Sequence, residues 1–493
     1  MNVRVKLSGK KLLVIGTVWP EPKSSAAGVH LLSLIQVLQA AGASCHFACP
    51  ANSYEAQHTI DLSILNIQAH TIILNDSSFD AWVEELAPDI VLFDRFMMEE
   101  QFSWRVRQAC PQALCVLDTE DVHSLRHLRQ QITNKAPELP LSISDLQRYH
   151  HGTAHNQDQD QNQEHEDLDL TGCLHNDLAL RELTSMMRMD LSLIISAVEM
   201  AFLTENYPID ERVLHHCPFL VSPITPQIQA NWVDYNARRD FVFIGNYRHA
   251  PNWDAVQILA KFIWPKIRAQ IPDAKCYVYG AYTPAKAQQF HQPKKGFHIA
   301  GWAQDAQDVL AKARVNLAPL RFGAGLKGKV FDAMQVGTPT VMTDIAAEGI
   351  FSHPVFKSEV PLSKSHEHQA IVSANANFDA SFDANFDANL NNYAQAAIDL
   401  YQSSECWQQA QASFAPHIST FFNRETVQQS LVERISAACD NIKQQRQTNF
   451  WQALVNQQQL KATQYMSQWI EAKQTIVQLR ETSHPPATDS NDD

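Results

Sequence analysis

The chain has 493 residues, 45% of them hydrophobic, which at about 150 residues per domain suffices for more than one buried core and excludes wholesale disorder. Its 53 acidic and 39 basic residues give a formal net charge of −14, a sign that repels nucleic-acid phosphates but leaves room for a local basic pocket holding a small phosphate. The 9 cysteines are odd in number and form no CxxC pair, which argues against a disulfide framework or zinc knuckle and for reduced thiols in the cytoplasm.

Met1–Lys11 is polar and basic, so no secretory leader is expected, and no apolar run is long enough to span a bilayer. Lys11–Gly16 reads as a strand and Gly28–Ala41 as the helix after it. Further strand-like runs follow at Ser44–Ala48, Thr71–Leu74, Asp89–Phe93 and Ala113–Leu117, with room for crossover helices between them. Asp190–Ser196 is expected to close this first α/β domain around a parallel sheet. The first turn, GTVWPEPKSSAAGVH, is not GxGxxG, and no acidic residue ends the next strand, so a nicotinamide site is disfavoured. Gly28 begins a helix, where free N–H groups suit an anion and a missing side chain lets a ligand approach; a plain tight turn is the alternative.

Ala113–Leu117 leads into DTEDVHSLRHLRQ, which places Asp118, Glu120, Asp121, His123 and Arg126 at a strand's carboxyl end. His123 is a candidate to donate to a sugar hydroxyl or a developing charge, with a carboxylate setting its tautomer. Asp121 and Arg126 are candidates on the acceptor side; a capped, charged helical turn is the plainer reading. Residues 150–169 are polar and acidic and cannot build a core, so a loosely held insertion without a specific metal site is expected.

The second α/β series starts at the strand Phe241–Gly245, with a junction near 215–240. A helix over Asn252–Ala269 contains Pro265, which predicts a kink or restart. Strands follow at Lys275–Tyr279, Val315–Leu320 and Thr340–Thr343, with a helix over Lys327–Val336 before the last. Gly245 ends the first strand of this series and delivers a loop with Asn246, Arg248 and His249, where Arg248 suits a phosphate or sugar. The segment APLRFGAGLKGKVFDAMQVGTPTVMTDIAAE carries the most chemistry: Arg321, Lys327 and Lys329 surround a loop made shallow by Gly323, Gly325 and Gly328. Three cations and the amides of a helix start can neutralise a diphosphate without a metal. Asp332, about one turn on, offers acceptors to a ribose diol, and Glu348 faces the same edge, toward donor hydroxyls. The FDAS-FDAN-FDAN repeat at 378–389, in an insertion of about 374–390, reads as a surface expansion rather than a packed helix. Beyond it, 441–480 reads as a glutamine-rich amphipathic helix with Trp451, Leu454, Met466, Trp469 and Ile476 on a stripe that must dock on its own domains or a partner, and 481–493 as tail.

With these residues in view, Phe241–Gly280 and Ala318–Glu348 resemble the donor domain of GT4-type retaining glycosyltransferases, with the N-terminal half similar more loosely through Gly28 and DTEDVHSLR. The resemblance implies an α/β, GT-B architecture: an acceptor-side Rossmann-like domain at 1–220 and a donor domain at 221–440, facing each other across a crevice. It implies transfer from a nucleoside-diphosphate sugar, UDP- or GDP-linked, with retention and no permanent cofactor or metal. Arg321, Lys327 and Lys329 match the family's basic positions, and Asp332 its ribose carboxylate, usually Glu. A glutamate common eight residues earlier in the family is Ala324 here. The acceptor is a glycan, lipid or protein. A cytoplasmic location with peripheral membrane contact, and protein contact through the C-terminal helix, complete the expectation. The alternatives are a catalytically weak nucleotide-sugar-binding scaffold and a nucleotide-sugar epimerase.

Overall fold

Short apolar runs in each half of the chain become parallel strands, seven in one sheet and five in a second among the described residues. The structure, a computed structural model, describes residues 6–50, 56–135, 176–351 and 382–483. The acidic segment at 150–169 and the start of the FDAN repeat lie outside these.

The first domain runs β1 (Lys11–Ile15), α1 (Ala26–Ala40), β2 (Ser44–Cys49), β3 (Ile67–Thr71), α2 (Ser78–Leu86), β4 (Ile90–Asp94), α3 (Phe96–Ala109), β5 (Leu114–Asp118) and α4 (His123–Lys135). After the undescribed segment come α5 (Asp177–Arg188), β6 (Leu191–Ile194), α6 (Ala197–Asn206) and β7 (Leu214–His216). The sheet order is β3-β2-β1-β4-β5-β6-β7, so the chain reverses direction of growth between β1 and β4. β1, β4, β5 and β6 are buried almost throughout, as strands covered by helices on both faces must be.

Two expectations need correction here. The strand expected at 71–74 is instead β3, in register with β2 from Cys45↔Ile67, and Ile73 and Leu74 lie exposed beyond it. β3 is an edge strand, so pairing with β2 rather than its own apolar content places it. The run at 190–196 does not close the sheet either, because β7 pairs outside β6.

The second domain has β8 (Arg239–Ile244), α7 (Ala250–Ile258), α8 (Trp264–Gln270), β9 (Cys276–Tyr279), β10 (Phe297–Gly301), α9 (Ala306–Lys312), β11 (Ala313–Ala318), α10 (Gly328–Gln335) and β12 (Thr340–Met342). The order β10-β9-β8-β11-β12 again reverses at a central pair, here β8 and β11. The restart expected at Pro265 is present: a π turn over Leu259–Ile263 separates α7 from α8, and Pro265 sits in the first turn of α8, where its missing N–H costs nothing. Edge strand β10 was missed, since FHIAG offers only two large apolar residues.

α11 (Phe382–Gln402) takes in the end of the repeat and becomes buried from Leu390 onward, against the second sheet. α12 (Arg424–Thr448) then crosses back to the first domain. Its Leu431, Val432, Ile435, Ala438 and Ile442 recur at helical spacing and join the core formed by Leu12, Val14, Leu34 and Leu38. α13 (Phe450–Ser483) follows, capped by Asn449, and lies on α3 and α5. No helix among the described residues is long and apolar enough to cross a membrane.

Candidate functional site

In open parallel sheets, ligands bind beyond the carboxyl ends of the strands where strand order reverses. Both domains turn that edge toward each other. The starts of α1 and α10 meet: a Cβ placed on Gly328 would lie 2.4 Å from the Ala26 Cβ. At one flank Tyr282 donates to Glu21 at 2.6 Å and the Trp302 indole donates to the Lys23 carbonyl at 3.0 Å. At the other, the Arg129 guanidinium donates to both Glu348 carboxylate oxygens at 3.0 and 2.8 Å and to the Gly323 carbonyl at 2.6 Å.

The glycine-rich loop between β11 and α10 is the centre of this contact. Gly323 and Gly325 have φ of +156° and +63°, which only glycine adopts cheaply. The Gly325 N–H donates to Glu199 at 2.7 Å, and a Cβ there would lie 2.8 Å from that of Asp121. Gly325→Ala therefore combines a collision with backbone strain of roughly 1–3 kcal/mol. We expect it to separate the domains and lower turnover more than it lowers the melting temperature, as measured by small-angle scattering beside initial rates.

Three cations flank this loop in sequence, each held differently. Lys327 is buried and donates to the Gly325 carbonyl at 2.8 Å; burial pulls its amine below the usual lysine range, against the attraction of Glu348. Lys329 donates to Asn252 at 2.6 Å and lies over the Phe243 ring, and burial with Lys327 nearby brings it down to about 7. Arg321 is held by Asp254 of α7 through bonds of 2.9 and 2.5 Å. Asp332, half-buried on α10, is pushed up to about 7 by burial and by Asp305. Gly245 directly follows β8, and a Cβ there would strike the Asn252 side chain. Asn252 lies in the first turn of α7 and braces Lys329 and the Asn246 carbonyl. Arg248 lies exposed with its guanidinium 3.5 Å from the Tyr282 ring centroid.

Across the cleft, His123 opens α4. Its backbone N–H donates to Glu182 at 2.7 Å, and its Nε2 lies 3.3 Å from Asp121. Burial lowers the imidazole to about 4, only partly opposed by Asp121, so the ring is neutral at pH 7. Burial would raise Asp121, but Arg126, which donates to it, and His123 more than offset that and hold it well below the usual carboxylate range. Glu199, 0% exposed, is pushed up to about 8 by burial and then by Asp121.

Two sequence expectations change in this geometry. Gly28 does not begin α1 but sits in its first turn; its N–H is satisfied by Ser25 and the space above its Cα is filled by the Glu21 backbone. Glu348 does not present a free carboxylate, because both oxygens are held by Arg129. Sequence reading missed Arg129 and Glu199. Arg129 lies three residues after Arg126 on one helix face, and Glu199 opens the helix after β6, so strand-end topology applied to every βα turn would have found both.

Residues 238–367 match the family model described as glycosyl transferases group 1. No curated protein matches the chain. Among solved structures the chain is similar to sucrose-phosphate synthase from Thermosynechococcus elongatus, at a TM-score of 0.53 and 14% identity over 87% of this chain and 100% of that one. It is also similar to Anabaena HepE in complex with UDP-glucose, at 0.52 and 12% over 87% and 99%. A glycosyltransferase from Rickettsia africae aligns at 0.51 and 11% over 87% and 98%. At these identities the likeness is one of fold, the GT-B pairing of two Rossmann-like domains.

Proposed function

We propose that the protein transfers a hexosyl group from a nucleoside-diphosphate sugar, UDP- or GDP-linked, to an acceptor entering from the first domain, with retention at the anomeric carbon. The observation that carries this reading is the placement of Lys327 and Lys329 at the start of α10, at the reversal point of the second sheet, with Arg321 held beside the same loop by Asp254. Cleavage of the glycosidic bond puts negative charge on the departing diphosphate, and these groups stabilise it without a bound metal ion. Asp332 would take the ribose diol. His123, neutral and held by Asp121, would donate to a sugar hydroxyl from the opposite wall, with Arg126 beside it on the acceptor side. Gly245 and Arg248 would border the nucleotide. The match of residues 238–367 to group 1 glycosyl transferases and the UDP-glucose bound by the fold relative HepE support the donor class.

The test is a calorimetric titration with UDP, GDP, ADP and NAD in the presence of a chelator, followed by turnover of the matching sugar and NMR of the product's anomeric centre. Binding of NAD alone, or an inverted product, would overturn the reading.

A pH dependence follows. Lys329 is protonated below about 7 and Asp332 ionised above about 7, so the diphosphate-binding cation is lost on the alkaline side and the ribose acceptor on the acid side. Diphosphate affinity should peak near pH 7. Asp332→Asn should abolish the acid limb while leaving the alkaline one, which separates the protein's titration from that of the ligand phosphate.

A further inference from the structure

α13 docks by its polar side. Gln452 donates to the Arg188 and Met189 carbonyls at 3.1 and 3.0 Å and to Asp190 at 2.9 Å. Ser467 accepts from Arg105 and donates to Asn75, each at 3.0 Å, and Glu471 accepts from the Ser77 N–H at 3.0 Å. The opposite side carries Trp451, Leu454, Tyr465, Trp469, Ile476 and Leu479, all exposed, Tyr465 by 65% and Trp469 by 59%. At 3.6 residues per turn these six fall within about a quarter turn of one another. A helix that binds its own protein through amides and hydroxyls and turns indoles outward has its apolar surface built for something else.

We infer that this stripe is a self-association seam, pairing antiparallel with the α13 of a second copy of this chain. The spacing argues for that occupant. Leu454 and Ile476 lie equally far before and after Tyr465, and so do Trp451 and Leu479. A twofold axis through Tyr465 then sets Leu454 against Ile476 and Trp451 against Leu479, the self-complementarity that an isologous interface requires. The separation of Trp451 from Leu479 is four heptads, about 42 Å of helix; on a straight helix the stripe drifts by about 80° over that length, and left-handed supercoiling of two copies would bring it into one seam. Charge points the same way. Residues 450–483 contain Lys461, Lys473 and Arg480 against Glu471 and Glu481, too nearly neutral to repel a copy. An anionic bilayer would instead favour a basic polar face, on a chain whose net charge is −14. The docked side faces away from the stripe, which leaves room for both bodies.

Sedimentation equilibrium of the full chain at micromolar concentration should give twice the 55.6 kDa monomer mass. Trp469→Gln combined with Ile476→Gln should halve it while the circular dichroism and melting transition are kept. Register is read by crosslinking in a Cys406→Ser background: Tyr465→Cys should form a disulfide with its own copy, Leu454→Cys should not, and Leu454→Cys with Ile476→Cys should. A monomeric wild type overturns the inference, as does Leu454→Cys joining itself as readily as Tyr465→Cys, the signature of parallel pairing. Binding of monomers to phosphatidylglycerol vesicles, lost in Trp469→Gln, would also overturn it and assign the face to a membrane.

Discussion

Replacing Lys327 by alanine is expected to lower glycosyl transfer by about 10²–10³-fold, the loss that follows removal of one preorganised charge from a developing anion. Lys327 is the buried cation of the loop, 6% exposed, with Glu348, Glu199 and Asp121 surrounding its amine. In the ligand-free protein burial pulls the amine below its ordinary range, and a diphosphate arriving at the loop restores it, so proton uptake should accompany binding on the alkaline side. Lys327→Ala removes that coupling. Initial rates at saturating donor measure the transition-state loss, and calorimetry in two buffers of different ionisation enthalpy measures the proton. Lys327→Arg should restore charge but not the fit, since the fork replaces a point charge beside the Gly325 carbonyl. Wild-type turnover in Lys327→Ala would remove the residue from the chemistry.

The second large effect is structural. Arg129→Ala leaves Glu348 buried at 4% exposure with neither oxygen paired, together with the Gly323 carbonyl it also holds. Breaking a buried ion pair on one side costs about 3–5 kcal/mol, because the remaining charge keeps its desolvation penalty and loses its partner. Denaturant unfolding of Arg129→Ala should show that loss, with the domains responding together because the pair joins them. Arg129→Met with Glu348→Met should recover most of it, since an apolar pair of similar volume leaves no orphan charge. A single variant as stable as the wild type would mean that the domains do not close as described.

Much of this molecule was legible in its residues. The run KLLVIG and its counterparts are apolar on both faces and short, which leaves only a buried parallel strand as a home. The break at Pro265 follows from the missing N–H, and the backbone realises it as a π turn and a restart. The loop from Arg321 to Lys329 was readable because its glycines and cations are close in sequence. What failed were three of the edge strands, β3, β7 and β10, whose apolar content is too low to announce them. α12 could be read as a helix, but not as one that returns to the first domain's core, because an apolar stripe specifies a face and not the surface it meets.

By itself the sequence determined the two parallel α/β halves and the composition of the glycine- and cation-rich loop, since both depend on local pattern and local charge. The tertiary structure decided how that loop is used. It joined Arg129 to Glu348 across 219 positions and Glu199 to Gly325 across 126, turned Glu348 from a free carboxylate into a latch, and filled the space above Gly28 with Glu21. It also set which side of α13 faces inward. Burial and pairing are properties of neighbours brought together by the fold, and residues far apart in the chain carry no local signal of whom they will meet.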